Sequence, residues 1–277
     1  MKKHCRSILV ISLILLCLIL SSCSSDGISK LNAYQLVKSA VEKTSQLESY
    51  EMEQKVSSTT ELLGEEMETI LAFDLKVADA AGKTPRAIGT MSLTLMGEEI
   101  KIDAYYENDV IYMSVEDEKV RIDASDEEAQ TYQFLDTQKG ILQIVPEDVL
   151  KDTKVTDNED KSRTVELEPD EEKFSEIYNE LISRMSNEEA YAEMMEDLKT
   201  TISIHDAHIS ITVLPSGYIG EYNISFTMDL QMSSKAEDFE YSINMDVDAS
   251  IVYKDPGAKV TVTAPADLDT YKDYSEL

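Results

Sequence analysis

Thiols are almost absent from this chain of 277 residues, and the three that exist, Cys5, Cys17 and Cys23, all fall within its first 23 positions. The remaining 254 residues therefore have no disulfide, no redox pair, no cysteine nucleophile and no thiolate metal ligand. Basic residues are also scarce, 25 Lys and Arg against 55 Asp and Glu. So strong an acidic excess excludes nucleic acid as a partner, because phosphate backbones are bound by the opposite balance. Histidine occurs three times, as His4, His205 and His208. No Gly-rich phosphate loop, G-x-S-x-G elbow or S-x-x-K nucleophile stands in a context that would position it. No cofactor is implied, and the chain is expected not to be an enzyme, since nothing supplies converging polar groups for a reaction.

The N-terminus carries the most specific pattern. Lys2, Lys3 and Arg6 precede an apolar run from Ile8 to Leu20, too short to span a bilayer comfortably and of the length of a secretory h-region. Leu20-Ser21-Ser22-Cys23 follows at once and resembles the bacterial lipobox. That resemblance implies cleavage before Cys23 and a diacylglyceryl group, with palmitate-like chains, on its thiol. Residues 1–22 are then a lipoprotein signal peptide, 23–30 a lipidated N-terminus and tether, and 31–277 a single domain. Two acyl chains suffice for stable anchoring, so the expected location is the extracytoplasmic face of the cell membrane. Residues 1–22 hold three of the basic residues and none of the acids. The mature chain is thus still more acidic, and contact with anionic headgroups is left to the lipid on Cys23.

Downstream, apolar residues at Leu31, Tyr34, Val37, Ala40, Val41 and Leu47 recur at helical spacing. From Tyr50 the period falls to two, and strands are read near 50–56, 67–78, 88–96, 100–106 and 110–115, linked by turns at Met96-Gly97-Glu98 and Glu107-Asn108-Asp109. Short connections make this an antiparallel meander. Residues 126–150 are read as irregular and helical, broken at Pro146. A hairpin of 154–156 with 163–167 follows. A second helix is marked by Phe174, Ile177, Tyr178, Leu181, Ile182 and Met185, with a continuation through Tyr191, Met194, Met195 and Leu198 capped at Ser186 and Glu189. Three long strands close the chain: Ile202 to Leu214, then one with Tyr222, Ile224, Phe226, Met228, Leu230 and Met232 facing one way, then one with Tyr241, Ile243, Met245, Val247, Ala249, Ile251 and Tyr253 doing the same.

Strands of thirteen residues at ~3.3 Å per residue run to about 43 Å and must twist. About nine such strands in one sheet would offer an apolar face on the order of 1,500 Å², whereas two helices cover about 700 Å². The shortfall points to a sheet that curls on itself or to an apolar cavity. This organisation resembles the LolA-like superfamily, including the LppX/LprG-type lipoproteins, and is closest in build to uncharacterised lipoproteins of Gram-positive bacteria. The resemblance implies an α+β fold, a large curved antiparallel β-sheet or half-barrel with helices packed on its concave face, and a cavity for acyl chains. The expected function is binding or shuttling of a lipid-like ligand by a monomer, through Tyr222, Ile224, Phe226, Met228, Leu230, Ile243, Met245 and Val247. The alternative is a non-enzymatic tethered interaction or sensory module of the cell envelope with a packed core. Methionines such as Met52, Met113, Met228 and Met245 suit either an adaptable pocket or an ordinary core.

Neither the histidine pair nor the two acidic runs carry a metal-binding spacing. His205-Asp206-Ala207-His208 lies in an extended segment, where residues three apart face opposite ways unless a bulge intervenes. Asp157-Asn158-Glu159-Asp160 and Glu171-Glu172 lack the EF-hand pattern and are read as a solvated turn and first-turn helix charges.

Overall fold

The computed structural model describes residues 32–62, 65–80, 82, 84–116, 118–123, 146–185, 198–234 and 239–274. Cys23 with its leader and tether, most of the 126–150 stretch, and Tyr191, Met194 and Met195 with the cap at Ser186 and Glu189 lie outside the described residues. Among the described residues no helix is long and apolar enough to cross a membrane.

Helix α1 (Asn32–Thr44) precedes six strands: β1 (Tyr50–Leu62), β2 (Glu65–Ala78), β3 (Arg86–Leu95), β4 (Glu98–Glu107), β5 (Val110–Val115) and β6 (Glu118–Asp123). β7 (Leu150–Asp157) and β8 (Arg163–Pro169) form a hairpin before α2 (Glu171–Met185). The long strands β9 (Leu198–Val213), β10 (Ile219–Ser234) and β11 (Phe239–Lys254) follow, and β12 (Lys272–Asp273) ends the sheet. All twelve strands of the described residues lie in one open, curved sheet, in the order β12-β6-β5-β4-β3-β2-β1-β11-β10-β9-β8-β7. The two meanders are thus one surface, sewn together where β11 pairs antiparallel with β1, Met52 opposite Tyr253 and Val56 opposite Ala249. Every pairing is antiparallel except β12 with β6, which is parallel.

The local chemistry explains the turns. Met96 and Gly97, and Asn108 and Asp109, all have positive φ, the geometry of two-residue hairpin loops whose twist matches that of the strands they join. Gly217, after Pro215 and Ser216, is also at positive φ and turns β9 into β10. Leu198, expected to end a helix, opens β9 instead. From there Ile202, Ile204 and then Ile209 and Ile211 are buried in strand alternation, which holds better than the 3.6-residue spacing back to Tyr191.

One face of the sheet carries the main core. Val37 and Ala40 of α1, Phe174 and Tyr178 of α2, and alternate residues of β1, β2 and β8 to β11 pack as one cluster. α1 is pinned at its last turn, where the Thr44 hydroxyl donates to the Ala40 carbonyl at 2.7 Å and accepts from the Ile219 amide at 2.9 Å. Lys43 donates to the Ser216 carbonyl and lies 4.4 Å over the Tyr218 ring.

The opposite face is not left bare. The C-terminal segment crosses it, burying Val262 against Ala78 and Tyr105, with Ile88, Tyr112 and Leu268 packed around them. Tyr271 meets Tyr112 edge to face at 5.4 Å, Lys119 pairs with Asp267, and Arg121 lies 3.6 Å from Asp273. This strap ends in the two-residue parallel pairing with β6. At the other edge, β7 is exposed almost throughout, with Lys151 and Lys154 salt-bridged to Glu168 and Glu166 of β8. Charge on a short edge strand discourages pairing with another chain.

Candidate functional site

The eight residues singled out for an apolar ligand come together, in register. Tyr222 lies opposite Ile251, Ile224 opposite Ala249, Phe226 opposite Val247, Met228 opposite Met245 and Leu230 opposite Ile243. Seven of them are buried, Met228 to 0 % and Met245 to 1 % exposure, and Tyr222 is half-buried. Phe226 is enclosed by the rings of Phe174 at 6.5 Å and Tyr178 at 6.0 Å. Side chains sealed along most of two neighbouring strands in this way leave no room for a ligand of chain length. These residues form the close-packed half of the helix-bearing face.

The apolar surface that is not closely covered lies on the same face, one meander over. Directly across β2, β3, β4 and β5 run Phe73, Met91, Ile102 and Val115, each opposite the next. All four are half-buried. The adjoining row is Leu75, Gly89, Ala104, Met113 and Val120. Gly89 and Ala104, its two smallest members, are neighbours, so by side-chain size the pair of rows is lowest there, a trough whose far side lines the cleft under the strap. Gly89 cannot be replaced by a larger residue without movement, since a Cβ there would come 2.5 Å from the Asp74 carbonyl oxygen and 3.2 Å from Cδ1 of Leu75. Beyond Phe73 and Met91, Leu93 is half-buried and Ile100 is 50 % exposed. The principal contacts of the two helices are with β7, β9 and β10 for α1 and with β9 for α2, away from this trough. Of these rows the sequence reading singled out only Met113, and alternation gave no sign that this half, rather than β10 and β11, would be the less covered.

Polar groups interrupt the apolar face along one strand. Gln54, Ser58 and Thr60 of β1 are all buried on the helix-bearing side. Gln54 is 4 % exposed and stands opposite Phe73 on β2 and Ile251 on β11. Among the described residues its Nε2 has no hydrogen-bond partner, nor does the buried hydroxyl of Tyr253 two residues along β11. Tyr253 meets Tyr50 edge to face at 6.3 Å. Burial raises the pKa of the Tyr253 hydroxyl well above the ordinary tyrosine range, so it stays protonated and able to donate.

The histidine pair is placed differently from the simple strand rule. β9 bulges at Asp206, whose φ is +52°, so that His205 faces Thr227 and His208 faces Ser225 across the strand pair. Both imidazoles thereby lie on the sheet face opposite the helices. They are drawn to different carboxylates, His205 Nε2 lying 3.2 Å from Asp229 while His208 acts on Glu166. Among the described residues no group of three or more acids and histidines could hold a metal ion. In the acidic turn, Asp160 accepts from the Ser162 hydroxyl at 2.6 Å and its amide at 3.0 Å, which holds the carboxyl below its usual range. The clefts that open to solvent among the described residues include one of about 570 Å³ between the strap and the sheet, containing the Lys119–Asp267 pair, and one of about 550 Å³ beside the first turn of α2, bordered by Glu171, Glu172 and His208.

A family model described as a family of unknown function, DUF6612, matches residues 32–267, and the chain belongs to that family. No curated protein matches. Among solved structures the chain is similar to LprF from Mycobacterium bovis, at 12 % identity over 87 % of this chain and 100 % of that one, with a TM-score of 0.44. It is also similar to a DUF1329 family protein from Desulfovibrio piger, at 10 % identity over 88 % and 97 % of the two chains and a TM-score of 0.22. A LolA superfamily protein from Nitrosomonas europaea matches at 9 % identity over 84 % and 96 %, with a TM-score of 0.21.

Proposed function

We propose that this member of the DUF6612 family is an extracytoplasmic lipoprotein, held at the membrane by acyl chains on Cys23, whose helix-bearing sheet face binds a lipid-like apolar chain. The single observation that carries the reading is the half-buried apolar trough of Phe73, Met91, Ile102 and Val115, beside Gly89 and Ala104. Continuous apolar surface of this kind on a soluble domain marks a site for an apolar partner. The site lies next to, rather than within, the packed patch of Met228 and Met245. That patch supports it by fixing β10, β11 and hence β1 as a rigid wall. The Leu20-Ser21-Ser22-Cys23 motif supports the anchor, and the acidic surface keeps the domain away from anionic headgroups.

The test is organic extraction and mass spectrometry of the protein from a bacterial host, beside Met91→Glu and Ile102→Glu variants. The proposal predicts a stoichiometric lipid-like species in the parent and its loss from both variants, with folding intact. A second reading, a tethered interaction module with a packed interior, draws on the burial of Ile224, Phe226, Met228 and Leu230 and of Ile243, Met245 and Val247. It predicts no extractable species and no change in the variants.

A further inference from the structure

We propose that the ligand's chain carries a neutral hydrogen-bond acceptor, an acyl ester, and that Gln54 and Tyr253 receive it at the inner end of the trough. This rests on the trough being the ligand site, and adds which chemistry that site selects. Buried donors without partners are rare, because each forfeits its hydration and gains nothing in return. Here two occur on neighbouring strands. Gln54 faces Ile251, and Tyr253 is two residues further along β11 on the same face. Such a diagonal pair has its Cβ atoms about 7 Å apart, a span that two side chains of this length close on one acceptor group; both donor atoms are covered in the ligand-free chain, so the acceptor enters as the side chains over them part.

The position is specific. Phe73, directly opposite Gln54, is the first member of the half-buried row that runs on through Met91 and Ile102 to Val115. From β1 to β5 is four strand spacings, about 19 Å at ~4.8 Å each, a length suited to a long acyl chain in extended form. An ester at Gln54 would send its chain along that row, over the hollow at Gly89 and Ala104.

Charge decides the kind of acceptor. On this face, β1 to β6 present no Lys or Arg among the described residues: the cations Lys55, Lys76, Arg86, Lys101, Lys119 and Arg121 all alternate to the other side. A phosphate or carboxylate would find donors but no counter-charge, within a protein whose net charge is −30. A neutral ester needs only the two donors.

The experiment uses the full chain reconstituted in nanodiscs, with two photoactivatable probes carrying a diazirine near the chain end: a hexadecane and the methyl ester of a sixteen-carbon acid. Labelled peptides are located by mass spectrometry. The expected result is labelling of β3 to β5 by the ester at about ten times the level in Gln54→Leu, the effect of one lost hydrogen bond in a buried site, with hexadecane labelling equal in both proteins. Tyr253→Phe gives the same split and serves should Gln54→Leu misfold. Gln54→Leu also removes an unsatisfied donor, so its ligand-free melting temperature is expected to equal or exceed the parent's, whereas a merely structural glutamine would lower it. Ester labelling of β3 to β5 that is unchanged in both variants overturns the assignment of Gln54 and Tyr253 and leaves the trough standing. Absence of label from β3 to β5 with either probe overturns the trough, and this inference with it.

Discussion

Asn179 of α2 binds Ile202 of β9 as a neighbouring strand would. Its Nδ2 donates to the Ile202 carbonyl at 2.7 Å and its Oδ1 accepts from the Ile202 amide at 2.8 Å. Ser175 Oγ accepts from the Ile204 amide and Glu171 Oε1 from the Asp206 amide, at 2.8 and 2.9 Å. Helical residues four apart thus serve strand residues two apart, because one helical turn, ~5.4 Å, is close to two strand residues, ~6.6 Å. β8 pairs with β9 only from Ile209 onward, so α2 covers the edge that β8 leaves open. Asn179→Ala strands both Ile202 groups and is expected to lower stability by about 2 kcal/mol in urea denaturation. Hydrogen exchange at Ile202 should accelerate before that of Ile211. Equal protection of the two amides in the variant would show that α2 does not hold this edge.

The packed and open halves of the helix-bearing face should respond differently to truncation. Met228→Ala leaves a cavity in a site that cannot collapse and is expected to cost about 3 kcal/mol, whereas Met91→Ala, already half-solvated, should cost under about 1 kcal/mol. Denaturation of the two variants side by side measures the contrast. For the same reason Met228→Arg unfolds the domain and reports nothing on ligand binding.

Stability should peak on the acid side of neutrality. Glu51 is pushed up by burial but more strongly down by hydrogen bonds from Lys254 and Lys76, and Glu166 and Asp267 are lowered by Lys154 and Lys119. A carboxyl lowered in the folded state contributes stability that is present above its unfolded pKa, about 4, and lost as pH falls through the folded value. Between pH 7 and about 5 these pairs persist while the repulsion among 55 acids begins to ease. The melting temperature is therefore expected to rise from pH 7 to about pH 5 and to fall below about pH 4. A monotonic decline from pH 7 downward would contradict this assignment.

Much of this was legible from residue order. Strict alternation from Tyr222 to Met232 fixed β10 and its buried face, and Asn108-Asp109 and Met96-Gly97 announced their hairpins. β6 was not foreseen because Glu118 to Asp123 offers only Val120 and Ile122 to an alternation test. The strap from Val262 to Tyr271 has no period at all, since it docks by single side chains on the far side of the sheet. The His205 and His208 faces were misplaced by counting, because the extra residue at Asp206 resets the alternation. Period two tells which way a side chain points and nothing of what lies above it. Met228 and Met91 therefore look alike in sequence, though one is sealed and the other is half-open.

The strap itself is a stability element. Val262→Asp would put a charge against Ala78 and Tyr105 and is expected to cost about 3 kcal/mol, with dye binding to the uncovered tyrosine surface. A melting curve and dye fluorescence matching the parent's would show that the far face stands without its cover.

The most direct measurement is the mass spectrum of an organic extract from the purified protein, set beside that of Ile102→Glu prepared in the same way. One lipid-like species per chain in the parent, absent from a folded Ile102→Glu, is the result predicted for a trough that holds an apolar chain. An extract with no such species, or one retained undiminished by Ile102→Glu, would contradict it.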